Sequence, residues 1–254
     1  MKHLTHLFFR LALAVIAIAA APLAVAADAM VREVYLCSFN DGKDMGDLMS
    51  ARDFYLKQME KAGQEPNMAF VWTPYKANTS WDFVWANNND SMMDFAATSD
   101  AFMDSPEGQA TMDRFNTVAT CTSHLAMRRQ TFQAEGDLNP GPNGAVISAF
   151  ACNYRHGHGP DGLEDLIGHV SEVAGGIDLA DGAAGYVSVP GMGAGPNTPD
   201  LLLYSVSGSL EKWAARGAAF QASEGAPALM RHLNTVVDCN GALFYGQRVV
   251  PPLE

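Results

Sequence analysis

The residues with the most evident chemical capacity form a short loop, His156-Gly157-His158, flanked by Arg155 and Asp161. Two imidazoles two positions apart could ligate a metal or move protons near neutral pH. A metal centre needs further ligands, and none stands at ligand spacing from this pair, so a solvated loop accounts for the same residues. His124 is a third candidate base, while His169 and His232 fall at helical positions that suit a surface or a satisfied core. The chain contains no Gly-x-Ser-x-Gly elbow, phosphate loop or dinucleotide fingerprint, and none of its motifs specifies a reaction.

Aromatic side chains offer binding rather than catalysis. If their strands line the interior of a barrel, Trp72 and Trp85, with Tyr35 and Phe39 nearby, could wall an apolar pocket there. Ordinary core packing would use the same side chains. Ten methionines lie between Met30 and Met127, among them Met45, Met49, Met59, Met92, Met93 and Met103. Thioethers could bind copper, but the helical spacing suits core filling. Haem would require one histidine facing an apolar cavity. No cofactor is expected, with haem and copper as the competing possibilities, and no dedicated metal site is assigned.

The elements that must position these groups occur twice. From Asp82 to Leu125 the chain matches itself at a constant offset of about 118 positions, through Asp82/Asp200, Ser91/Ser209, Phe102/Phe220, Ser105/Ser223, Met112/Met230 and Asn116/Asn234. Asn116 and Asn234, each just before the last strand of its copy, read as structural helix-end amides. Each copy carries one early and one late cysteine. Four cysteines allow three pairings; the repeat favours the two within copies, Cys37–Cys121 and Cys152–Cys239. A zinc site is the competing use of these cysteines, but no CxxC spacing supports it.

Alternation from Val31 to Phe39 predicts a strand, with Val31, Glu33, Tyr35, Cys37 and Phe39 on one face. A helix follows over 46–62, stopped by Gly63, then strands over 68–73 and 81–86, with Pro74 ending the first. Asn87-Asn88-Asn89-Asp90 leads from the second to a helix capped by Asp90 or Ser91. That helix, broken in two at Ser105-Pro106, leads to a last strand over 120–132. The order β-α-β-β-α-β then recurs: strands 145–154, 183–189, 201–206 and 239–249, and helices 161–174, 210–221 and 224–236. Such a unit forms an antiparallel sheet in the order 4-1-3-2 with its helices on one face. Strands one and four are then neighbours, which places the paired cysteines opposite each other.

Lys2 and Arg10, the apolar run 11–21 and Ala24-Val25-Ala26 read as a signal peptide over 1–26. The first repeat is expected over 28–132, a linker over 133–144 and the second repeat over 145–250. The chain carries a formal net charge of −12, and removal of Lys2 and Arg10 makes it more acidic by two. That charge argues against nucleic acid and anionic lipid as partners. Nothing after the leader is apolar enough to insert in a membrane as a helix. A periplasmic or secreted location is expected.

Two such units in one chain resemble the dimeric α+β-barrel superfamily, in which two ferredoxin-like sheets face each other as a barrel. The stretch CSFNDGKDMGDL, Cys37–Leu48, is also similar to the openings of uncharacterised exported bacterial proteins. The resemblance implies an α+β fold of two tandem ferredoxin-like βαββαβ units, packed sheet to sheet as a pseudo-dimeric barrel. It implies a monomer with an internal pseudo-twofold. The superfamily includes cofactor-free monooxygenases, isomerases, haem enzymes and members without known activity, and a fold does not select among them. The leading expectation is a module that binds an apolar small molecule or a protein partner. The alternatives are a cofactor-independent enzyme, monooxygenase- or isomerase-like, or a haem-binding protein with its pocket in one half.

Overall fold

The computed structural model describes residues 30–250. The signal peptide expected over 1–26 lies outside the described residues. The first half contains β1 (Met30–Phe39), α1 (Met45–Ala62), β2 (Met68–Lys76), β3 (Phe83–Asn89), α2 (Met92–Met103), α3 (Pro106–Asn116) and β4 (Ala119–Gln133). The second contains β5 (Ala145–Tyr154), α4 (Leu163–Gly175), β6 (Ala184–Pro190), β7 (Leu201–Ser207), α5 (Leu210–Ala222), α6 (Ala226–Val236) and β8 (Val237–Val250).

Local chemistry explains the helix limits. Asp44 caps α1 by accepting from the amides of Gly46 and Asp47, and Gly63 ends it in the left-handed region at φ 66°. Ser91 caps α2, and Ser105 caps α3 with Pro106 in its first turn. The expected limits of β2, β3 and the first helix of the second half change. β2 runs past Pro74 to Lys76, because a register shift against β8 at Pro74/Lys76 accommodates the missing amide donor. β3 begins at Phe83 rather than Trp81 and continues through Asn87–Asn89, whose backbone pairs with Val31–Glu33. The helix expected from 161 opens instead with a single 3-10 turn, Pro160–Gly162, before α4.

The eight strands close into one antiparallel barrel in the order β1-β3-β2-β8-β5-β7-β6-β4. Within it each half reads 4-1-3-2. The halves face one another across the interior and are also hydrogen-bonded edge to edge, β2 to β8 and β4 to β6. Closure leaves no strand with a free edge. Period-two alternation then sorts the side chains. Inward, Val34, Leu36, Trp72, Val84, Ile147, Tyr204 and Phe244 form a cluster drawn from the strands of both halves and from no helix. Outward, Val71, Phe83 and Trp85 pack beneath Leu48 and Ala51 of α1. Val187 and Leu201 pack likewise beneath Leu163 and Leu166 of α4.

Cys37 bonds Cys121 and Cys152 bonds Cys239, directly opposite in register with Cα atoms 4.1 and 4.0 Å apart. Both bridges tie the first and last strands of a half, as the repeat predicts. No helix of the described residues is long and apolar enough to cross a membrane.

Candidate functional site

A cavity of about 780 Å³ lies in the first half, between the outer face of the sheet and the three helices. Its floor is Tyr35, Phe83 and Trp85; Tyr55 and Met59 of α1, Phe95 and Phe102 of α2 and Phe115 of α3 enclose it. The helices lie over this face because their apolar residues need cover, yet α2 buries none of its residues. It turns Phe95 and Phe102 toward the cavity instead of into a closed core. Trp85 meets Phe115 edge to face at 5.3 Å, and Tyr55 meets Phe102 at 6.2 Å.

One border of this apolar chamber is polar. Glu33, two residues before Tyr35 on β1, turns its carboxylate to the same side. Tyr35 Oη donates to Glu33 Oε1 at 2.8 Å, and Asn87 Nδ2 donates to Oε2 at 3.1 Å. Trp85 Nε1 donates to Asn87 Oδ1 at 2.7 Å, which fixes the amide in the orientation that presents its NH₂ to Glu33. The register makes this set possible: Tyr35 stands opposite Trp85 and Glu33 opposite Asn87. Burial, with the Glu33 charge alongside, pushes the Tyr35 phenol above its usual range, so it remains a donor. Glu33 makes no ion pair among the described residues. An acceptor-only group of this kind can receive an N–H, O–H or cationic group of a bound molecule, or take a proton from it.

The second half does not repeat this set. At the equivalent register positions stand Phe150 opposite Leu203 and Ser148 opposite Ser205. The carboxylate, the amide and the indole are all absent there.

The residues singled out by type are dispersed. Tyr35 and Trp85 line the cavity. Phe39 packs on Phe83 at 4.8 Å in the neighbouring core. Trp72 faces the other side of the sheet, into the barrel, 5.2 Å from Tyr204. His156 and His158 are exposed in the loop after β5, remote in sequence and topology from the cavity lining. Ser123 lines the cavity, whereas its neighbour His124 alternates to the inner face, beneath the loop at Gly193. Burial holds His124 below the usual imidazole range. His169 and His232 pair with each other, Nδ1 to Nδ1, at 3.1 Å between α4 and α6.

Glu33 and Asn87 escaped the search by residue type. The signal was the placement of a carboxylate on the strand face that otherwise carries Tyr35, Cys37 and Phe39. No cluster of three or more His, Cys, Asp or Glu suited to a metal occurs among the described residues. Among those residues no histidine lines the cavity, so the imidazole that haem binding was expected to use is not offered there.

No family model and no curated protein matches the sequence. Solved structures do match in fold. A proposed monooxygenase from Fusobacterium nucleatum subsp. nucleatum aligns over 86% of this chain and 93% of its own, with a TM-score of 0.58 at 9% identity. Another from Lactobacillus acidophilus covers 86% and 94%, with a TM-score of 0.53 at 8% identity. An anthrone oxidase-like protein covers 87% and 93%, with a TM-score of 0.53 at 12% identity. The likeness is one of fold: these are dimeric α+β-barrel proteins, and this chain has that fold.

Proposed function

We propose that this is an exported, disulfide-bonded tandem α+β-barrel protein that binds a flat, largely apolar small molecule in the cavity of its first half. The observation that carries the reading is a single carboxylate, Glu33, at the border of an aromatic chamber, oriented by Tyr35 and Asn87 and without an ion pair among the described residues. Aromatic walls supply affinity through area, and the carboxylate selects a molecule with an N–H, O–H or cationic group. The halves are two ferredoxin-like copies, of which one carries the site and the other has Ser148, Phe150, Leu203 and Ser205 at the equivalent positions. Export agrees with the two disulfides, which persist in oxidising compartments.

A second reading has its own support. A carboxylate held by a phenol and an amide can act as a general base, drawing a proton from a bound aromatic compound without any cofactor. The monooxygenase and anthrone oxidase-like names of proteins with this fold favour that chemistry as the enzymatic alternative.

The test is titration with N-phenyl-1-naphthylamine, a neutral aromatic dye with one N–H. Saturable dye fluorescence at one equivalent is expected, with loss of binding in Trp85→Leu. Leucine is compatible with this sheet position, since Leu203 occupies its counterpart. Non-saturable binding, or equal binding by the variant, would refute the site. If the dye binds, incubation of candidate aromatic compounds and detection of product then separates enzyme from carrier.

A further inference from the structure

The barrel interior carries charge that the cavity does not use. Strand alternation turns Arg32 of β1, Arg128 of β4 and Arg248 of β8 inward, toward the end of the barrel where β1 begins and β8 finishes. Arg32 is 5% exposed. Its Nε donates to Asn88 Oδ1 and its Nη1 to Tyr204 Oη, each at 2.8 Å. Its guanidinium lies 5.6 Å from the ring centroids of both Trp72 and Tyr204. Arg128 sits 3.8 Å over Tyr186, which stacks on Tyr204 at 5.1 Å. Every one of these partners is neutral.

None of the three arginines forms a salt bridge among the described residues. The Nε atoms of Arg128 and Arg248 are buried without a hydrogen-bond partner there. The one carboxylate at an inward register position of the strands is Asp238, at the opposite end of β8, where it pairs with Arg155. A guanidinium does not shed its proton near neutral pH. Water can satisfy an Nε–H but cannot cancel a charge, and aromatic faces recover only part of the lost hydration. Three like charges converging on one end of a low-dielectric barrel therefore require a counter-charge.

We propose that this end of the barrel is an anion site, in which Arg32, Arg128 and Arg248 hold a small oxyanion such as a carboxylate or phosphate group. Arg128 and Arg248 are partly exposed while Arg32 is buried, so the anion enters at the mouth and Arg32 forms the floor. The site lies on the opposite face of the sheet from the aromatic cavity and does not depend on it.

Isothermal titration of the purified protein with inorganic phosphate, and separately with acetate, at constant ionic strength in chloride tests the site. Saturable one-to-one binding of at least one of them is expected. Arg128→Gln should weaken it at least tenfold while leaving N-phenyl-1-naphthylamine binding unchanged; its fold is checked by circular dichroism. Absence of saturable heat with both anions overturns the proposal, as does equal affinity in Arg128→Gln. Binding that emerges only when Asp28→Asn and Glu254→Gln are combined would also overturn it, by assigning the counter-charge to the chain itself.

Discussion

Glu33 shows how much of the candidate site rests on single side chains. Glu33→Gln keeps the shape but replaces two acceptor oxygens with one acceptor and one donor, so Tyr35 and Asn87 compete for what remains. Affinity for N-phenyl-1-naphthylamine should fall about tenfold, equivalent to about 1.4 kcal/mol, measured by the same fluorescence titration. A second residue-scale test concerns Asp181, whose carboxylate bridges Arg216 through Oδ1 at 2.6 Å and Oδ2 at 2.9 Å in a buried pair. Burial alone would raise its affinity for a proton, but the bonds from Arg216 and the Ala183 amide outweigh this and hold it below the ordinary carboxylate range. The folded state thus binds this proton more weakly than the unfolded chain. The resulting stability is complete above the unfolded value of about 4 and is lost as pH falls through the lower folded value. His124, also depressed, acts in the same direction, with its contribution full above about pH 6.5. Urea midpoints should therefore fall on acidification. Asp181→Ala should flatten the lowest part of that profile and cost about 3–5 kcal/mol at neutral pH, because it leaves Arg216 buried without its partner.

At the scale of elements, the disulfides and the capped helices carry the frame. Each bridge joins strands already paired in register, so its effect falls mainly on the unfolded chain, where it closes a loop spanning 84 or 87 residues. Replacing Cys152 and Cys239 together by alanine should lower stability by about 2–4 kcal/mol in urea unfolding and leave dye binding intact, since neither residue touches the cavity. Replacing Cys37 and Cys121 should cost a similar amount and also weaken dye binding, because both line the cavity. α2 is the least embedded cover of the chamber, with Met93 at 78% exposure and none of its residues buried. Its amides should exchange hydrogen faster than those of α1, which buries Leu48, Ala51 and Met59.

For the molecule as a whole, barrel closure within one chain predicts its assembly state. Every strand has two hydrogen-bonded neighbours, and both joints between halves are antiparallel ladders, each interrupted by register shifts. Sedimentation at micromolar concentration should give a monomer. After proteolytic cleavage within 133–144 the halves should stay together and unfold in one transition. An obligate dimer, or two independent transitions after cleavage, would contradict this picture. Any ligand should bind once per chain, because Ser148, Phe150, Leu203 and Ser205 replace the polar set of the first half.

The sequence by itself determined the repeat, the order of elements and the disulfide pairing, because each rests on local periodicity or on equivalence between copies. Tyr35 and Trp85 could be singled out by residue type, though not the face on which they lie. Three matters belonged to the tertiary structure. Trp72 and Trp85 lie on opposite faces of one sheet, and only the register and the way the barrel closes decide which face meets the helices. Asn87–Asn89 have turn chemistry locally, yet pairing with β1 draws them into a strand and brings Asn87 to Glu33. The convergence of Arg32, Arg128 and Arg248 joins three strands far apart in sequence, one of them from the other half. Closure of a barrel is a long-range property, so charges that appear isolated along the chain become neighbours only when its last strand pairs with its first half.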